Sequence, residues 1–287
     1  MNLLYITKKK ILPEGFIQIT MLEIRQSIRS KWFWAYGLLF GGFVALMFIM
    51  GITESQIIGF VGLSRLMVTF MQICMVILPI YVLITTVRSV VGDRETNVME
   101  YMLSLPISLS GYFWGKLASK FFTIYLPVFL AFLGAAIWGT ISDIDVSWNL
   151  FALYSGLLAV MVFCFLGIGM LISVLATSQN QATSAAFISW LFLVAFLDLI
   201  LMGFMLKMRM NADMVIGLGM LNPLQVFRTA VLVLFDPQLT VMGPASYYIL
   251  DTVSRGVFIA FAVIYPLILG FVLAIMGNRR FNRRDIV

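Results

Sequence analysis

The stretch Asp93-Arg94-Glu95-Thr96-Asn97-Val98-Met99-Glu100-Tyr101-Met102-Leu103-Ser104-Leu105-Pro106 lies between two long apolar runs. Val98, Met99, Met102 and Leu103 fall at i, i+1, i+4 and i+5, the spacing that lines up one apolar stripe on a helix. Asn97, Glu100 and Ser104 fall off that stripe. Pro106 ends the helix, because it lacks an N–H and clashes with the turn before it. The pattern predicts a charged helical connector over 93–106. Its stripe can rest on a membrane surface, or dock in a groove of a soluble subunit as amphipathic helices do.

The flanking sequence makes this a connector between membrane spans. Of the 287 residues, 62% are hydrophobic and only 11% are charged, against about 25% charged in soluble domains. The mean hydropathy is +1.02. A span needs about 20 apolar residues, and six runs qualify: 33–50, 66–87, 117–141, 150–176, 182–206 and 253–276. Each must be helical, because backbone groups find no water in lipid. No polar stretch reaches the roughly 50 residues of a soluble domain. The expected fold is one all-α transmembrane domain over 1–287.

Orientation follows from Lys and Arg. Lys8, Lys9, Lys10, Arg25, Arg29, Lys31, Arg88, Arg94, Lys116, Lys120, Arg279, Arg280, Arg283 and Arg284 fall on one side. Only Arg65, Lys207, Arg209, Arg228 and Arg255 fall on the other. Both termini are therefore expected in the cytoplasm, which an even span count requires. The net charge of +6 is spent beside the spans, so nucleic acid is not an expected partner. About thirty residues precede the first apolar run, which is too long for a signal-peptide core, so no cleavable signal is expected.

Two further helices are expected outside the spans. The segment 13–29 is amphipathic: Phe16, Ile17, Ile24 and Ile28 can share a face, with Glu14, Glu23, Arg25 and Arg29 around it. Such a helix lies in the membrane interface against lipid, and Trp32 and Trp34 mark where the chain enters the bilayer. The outer segment 207–251 is too apolar for an ordinary loop. Asn222-Pro223 breaks it, and 224–235 reads as a short re-entrant or surface-lying helix.

Little of the chain suits chemistry. There is no histidine, which removes the commonest metal ligand and general base. Cys74 and Cys164 lie inside apolar runs and read as buried free thiols. Gly111-Tyr112-Phe113-Trp114-Gly115-Lys116 is one residue short of a phosphate-binding loop. Leu117 replaces the hydroxyl residue, and no strand precedes it. The chain is therefore not expected to hydrolyse ATP itself. Asp198 sits inside the fifth run, where a carboxylate costs a few kcal/mol. It reads equally as a protonated interhelical hydrogen bond or as a group on an ion path. Met202, Met205, Met208 and Met210 cluster nearby. Thioethers suit Cu(I), but Met is also common packing filler, and the expected metal set is none. Gly167-x-Gly169, with Gly37, Gly41 and Gly42, suits close helix packing.

These residues resemble the ABC-2-type transporter permeases over nearly the whole chain. That family carries an acidic residue, a short spacer, Glu, a Leu-rich turn and Pro, then Gly-Lys at the start of the third span. Here the pattern stands as Asp93-Arg94-Glu95, Glu100, Leu103-Ser104-Leu105-Pro106-Ile107-Ser108 and Gly115-Lys116. The resemblance implies six spans of type V exporter-like architecture. It implies a connector contacting separate ATPase subunits through Asp93, Glu95, Val98, Met99, Glu100, Met102, Leu103, Leu105 and Pro106. ATP and Mg would be bound by those partner subunits, with no cofactor in this chain, in a bacterial cytoplasmic membrane. Asp198 would lie on the path or near a dimer axis. Leu221-Asn222-Pro223-Leu224-Gln225-Val226-Phe227-Arg228, then Met242-Gly243-Pro244 and the tail Arg279–Asp285, are similar to a narrower Nos-type group. That group serves copper-site maturation of nitrous oxide reductase. The likeness implies a homodimer with two NosF-like ATPase subunits and a NosD-like periplasmic protein. The outer contacts would be Asn222, Pro223, Phe227 and Arg228.

Overall fold

A long helix, Leu63–Glu95, carries the chain from one end of the bundle to the charged connector. It is α3 in the computed structural model, which describes residues 15–49, 63–104, 106–143, 146–196, 203, 217–235 and 254–283. The described residues hold no strand. Before α3 come α1, Phe16–Arg29, and α2, Lys31–Ile49. After it come α4, Val98–Leu103, then α5, Leu109–Ile141, and α6, Trp148–Leu175. Next are α7, Gln179–Leu191, which runs into a π-helical turn at Phe192–Phe196. Last are α8, Pro223–Phe235, and α9, Arg255–Arg283.

Four of these are long and apolar enough to cross a membrane: Leu66–Glu95, Leu109–Ile141, Trp148–Leu175 and Arg255–Arg283. Two shorter apolar helices, Phe33–Met47 and Pro223–Leu234, accompany them. Pro79, Pro127 and Pro266 lie inside α3, α5 and α9. Membrane helices absorb such residues, because neighbouring helices re-satisfy the freed backbone groups.

The spans α3, α5 and α9 run past the expected boundaries at the basic end. Two local signals explain two of the helix starts there. Ser108 caps α5 by accepting from the Gly111 N–H at 3.0 Å, just after Pro106. Ser178 caps α7 by accepting from Gln181 N–H at 3.2 Å, while Gln181 Oε1 takes the Thr177 N–H at 2.8 Å. That is a reciprocal cap of the capping-box kind.

The main core runs through the bundle from Phe40 and Phe70 to Phe132, Phe151 and Phe165. A second, smaller core sits at the basic end. It joins Ile19, Val90, Met99, Tyr112, Phe113, Met170 and Phe281. The largest helix interface is α6 against α9, followed by α3 against α6. Gly167 and Gly270 let α6 and α9 touch backbone to backbone: a Cβ on Gly167 would collide with the Gly270 carbonyl. Gly169 makes room for the Thr86 side chain of α3, where a Cβ on the glycine would meet Thr86 Cβ at 2.9 Å. Cys74 and Cys164 are both buried free thiols.

Candidate functional site

Three consecutive charged residues end α3, and each reaches a different part of the bundle. Successive residues turn by about 100° around a helix, so Asp93, Arg94 and Glu95 point three ways. Asp93 Oδ2 meets Lys116 Nζ of α5 at 2.5 Å and accepts from the Tyr112 hydroxyl at 2.5 Å. Arg94 Nη1 donates to the Ala176 carbonyl, just past the end of α6, at 3.2 Å. Glu95 Oε1 accepts the first N–H of α7, from Gln179, at 2.9 Å. Arg88, two turns earlier, donates to Thr183 Oγ1 at 3.2 Å.

Lys116 is the centre of this hub. It is only 3% exposed, and a buried ammonium must be paired and hydrogen-bonded. It donates to Asp93, to Glu23 Oε1 of α1 at 3.1 Å, and to the Ser89 carbonyl at 2.9 Å. An ammonium has three N–H donors, and all three are used. Tyr112 lies beneath it, its ring centroid 5.2 Å from Nζ, within cation–π reach. The hub therefore ties α1, α3 and α5 with one cation.

Gly115 makes the third contact fit. A Cβ there would meet Ile19 Cβ at 2.9 Å and the Phe16 carbonyl at 3.1 Å. Without a side chain, α5 lets α1 lie against it, and Thr20 Oγ1 reaches the Gly115 carbonyl at 3.3 Å. The Gly115-Lys116 pair is thus a docking groove followed by a charge that closes over it. Gly15, in the left-handed region at φ 84°, starts α1 against Ile107, immediately after the connector.

The connector is not one helix over 93–106. It breaks at Asn97, which takes φ 58°, a conformation Asn tolerates better than most residues. Asp93 and Glu95 consequently belong to α3 and bind inside the chain. The expected stripe turns inward: Met99 is 3% exposed and sits in the second core, with Met102 packed beside it. Val98, Glu100, Tyr101, Ser104 and Pro106 remain exposed, Tyr101 at 70%. Leu105 and the side chain of Leu103 lie outside the described residues.

At the opposite end, α8 packs among α3, α6 and α9. Asn222 Nδ2 donates to the Leu193 carbonyl in the π turn at 2.7 Å, while its Oδ1 caps α8 by accepting from Leu224 N–H at 3.0 Å. Pro223 follows as the first helical residue, where its missing N–H costs nothing. Tyr265 of α9 donates to the Leu221 carbonyl at 2.5 Å, and Tyr154 of α6 to the Val231 carbonyl at 3.2 Å. Asn222, Pro223 and Phe227, expected as outer contacts, are buried within the chain. They hold α8 in place, and only Arg228 of the four is exposed. Asn222 is 2% exposed, so Asn222→Leu leaves the buried Leu224 N–H without its acceptor and the part-buried Leu193 carbonyl without its side-chain donor. A buried donor left unpaired costs about 1–3 kcal/mol, and a thermal melt in detergent is expected to show a clear downward shift.

A family model for ABC-2 family transporter proteins matches residues 17–286. The chain belongs to that family. It is also similar to the probable ABC transporter permease protein NosY of Stutzerimonas stutzeri, 22% identical over 237 residues, covering 79% of this chain and 85% of that protein. NosY of Pseudomonas aeruginosa is 21% identical over 224 residues, 76% of this chain and 82% of that one.

Within this ABC-2 protein, the structure gathers Asp93, Glu95 and Met99 around the hub and leaves Glu100 at the surface. Asp198, Met202, Met205, Met208 and Met210 lie outside the described residues. Sequence reasoning missed Lys116 and Tyr112 as partners of Asp93, and Glu23 as the second carboxylate on Lys116. A signal for them was present. Glu23 falls on the same helical face as Phe16, Ile19 and Thr20, and a carboxylate on a buried face calls for a cation.

Proposed function

We propose that this chain is the non-catalytic membrane subunit of an ABC complex, in a bacterial cytoplasmic membrane with both termini inside. Two copies assemble with two separate ATPase subunits, which bind the ATP and Mg. The spans number six, with 182–206 and 33–50 completing the four long ones. The observation that carries the reading is the split character of α4. One face, Met99 and Met102, is seated in the protein, while Glu100, Tyr101 and Ser104 are presented outward. A partner pressing on that outward face moves a helix anchored to the hub. Through Asp93, Arg94 and Glu95 the displacement reaches α1, α5, α6 and α7 together.

The likeness to NosY supports a narrower version. ATP-driven motion is passed to a periplasmic protein, or exports a substrate, in copper-site maturation of nitrous oxide reductase. Arg228, exposed on α8, is the described residue best placed to meet such a partner. A generic exporter of a lipid, drug or other small molecule uses the same α4 contact and differs only at the outer end.

The test is native mass spectrometry of the chain gently solubilised from its own membrane. Two copies with two ATPase subunits are expected. A Glu100→Lys/Tyr101→Glu double variant is expected to lower ATPase retention about tenfold or more, the scale of 1.4 kcal/mol at an interface. Its thermal midpoint should stay unchanged, because both side chains are exposed. A chain reproducibly free of ATPase in several mild detergents would overturn the reading. An added periplasmic protein in the assembly would favour force transmission over simple export.

A further inference from the structure

The outward face of α1 carries two parallel stripes with different chemistry. Ile17, Met21 and Ile28 form an exposed apolar stripe, with Ile24 half-buried at its edge. Gln18, Leu22, Arg25 and Arg29 follow at i, i+4, i+7 and i+11 and form the stripe beside it, also exposed. Along this second stripe lies a groove of about 440 Å³, lined by Gln18, Leu22, Arg25 and Arg29 with Met21 and Gln26 at its edges.

The charge on this face is unbalanced for a structural reason. The only acidic residue of α1 is Glu23, and it is turned to the opposite side and bound to Lys116. Among the described residues, Arg25 and Arg29 are in no ion pair. The groove therefore presents, among the described residues, two guanidiniums and two amides and no carboxylate.

Its depth is fixed by the fold. Ser30 alone separates α1 from the apolar helix α2. The corner is tied by Trp34 Nε1, which donates to the Ile28 carbonyl at 3.0 Å. On the other side α1 lies against Gly115, one to two turns into the span α5. So α1 runs along the level at which α2 and α5 enter lipid. An apolar stripe there can sink into the acyl region while long basic side chains reach up to the headgroups.

We propose that this face of α1 is a binding site for anionic phospholipid, with the Arg25 and Arg29 guanidiniums holding the headgroup phosphate. Guanidinium matches phosphate geometry with paired N–H donors. The neighbouring Ile17–Met21–Ile28 stripe accepts the acyl chain. An acidic peptide would satisfy the arginines but leave that stripe in water, so the occupant is lipid.

The test uses the full chain with its co-purifying partners, reconstituted in nanodiscs of equal phosphatidylcholine and phosphatidylglycerol. Retained lipid is counted by native mass spectrometry after release. Phosphatidylglycerol is expected to be retained about tenfold over phosphatidylcholine. The Arg25→Gln/Arg29→Gln variant is expected to abolish that preference while keeping its thermal midpoint. The control Arg279→Gln/Arg280→Gln, at the end of α9, is expected to keep it. Equal loss in both pairs would mean total charge and not a site, and would overturn the proposal, as would an unchanged preference in the first. Depth gives a second readout. A spin label on Met21→Cys, the native thiols being buried, should collide with oxygen more than with an aqueous nickel chelate. The reverse order would place the face in water and also overturn the proposal.

Discussion

Replacing Lys116 with methionine is expected to cost about 3–5 kcal/mol, the scale for removing one partner of a buried ion pair. That is a large share of the 5–15 kcal/mol by which proteins are ordinarily stable. The volume is nearly kept, so packing is not the cause. The cause is that Asp93 and Glu23 lose their shared cation while staying largely buried, with side-chain exposures of 22% and 15%. Their repulsion is then unopposed, and the Ser89 carbonyl loses its side-chain donor. Thermal unfolding in detergent should fall sharply, and folded yield with it. The triple variant Lys116→Met/Asp93→Asn/Glu23→Gln should recover much of the loss, since it leaves no unpaired charge. If the single and triple variants melt alike, the hub is a packing feature and not an electrostatic one.

The second large effect is expected at the α6–α9 crossing. Gly167→Val should abolish most folded protein, because the new side chain must enter the Gly270 backbone. Overpacking typically costs about 1–3 kcal/mol, but here the neighbour is a carbonyl that cannot rotate aside. The helices must separate along the largest interface in the bundle. Gly41→Ala and Gly42→Ala are the matched controls, because a Cβ on either meets nothing within 4 Å. They should melt at or slightly above the parent, since Ala is the better helix former by about 1 kcal/mol. Size-exclusion profiles and melting curves of the three variants separate the cases.

The family and the long helices were legible because both signals are local. Apolar runs, Pro106 and the Ser caps are read along the chain. Asp93 and Lys116 were each visible as motif residues, but not as partners. Their meeting depends on α3 and α5 lying side by side, which no periodicity encodes. The break at Asn97 had a local signal, since Asn favours turns and left-handed backbone. The apolar stripe on both sides of it outweighed that signal and suggested one helix. Asn222-Pro223 is legible as an interruption, since Pro starts a helix more readily than it continues one. Its role as a cap and a tie to the π turn was hidden, because the tie spans 29 residues. Amphipathic α1 was legible in kind, but Ile17 and Ile28 were grouped with Phe16. The structure turns Phe16 and Ile19 toward α5 and leaves Ile17 and Ile28 outside.

Every group that receives the Lys116 ammonium comes earlier in the chain: Glu23, Ser89 and Asp93. The ribosome delivers the lysine last, to acceptors already made. During insertion the positive charge can leave water directly into a prepared site, once α1 and α3 are in place and with nothing from α6 onward. The order of residues along the chain thus protects a buried charge at the moment of biogenesis when it would otherwise stand alone.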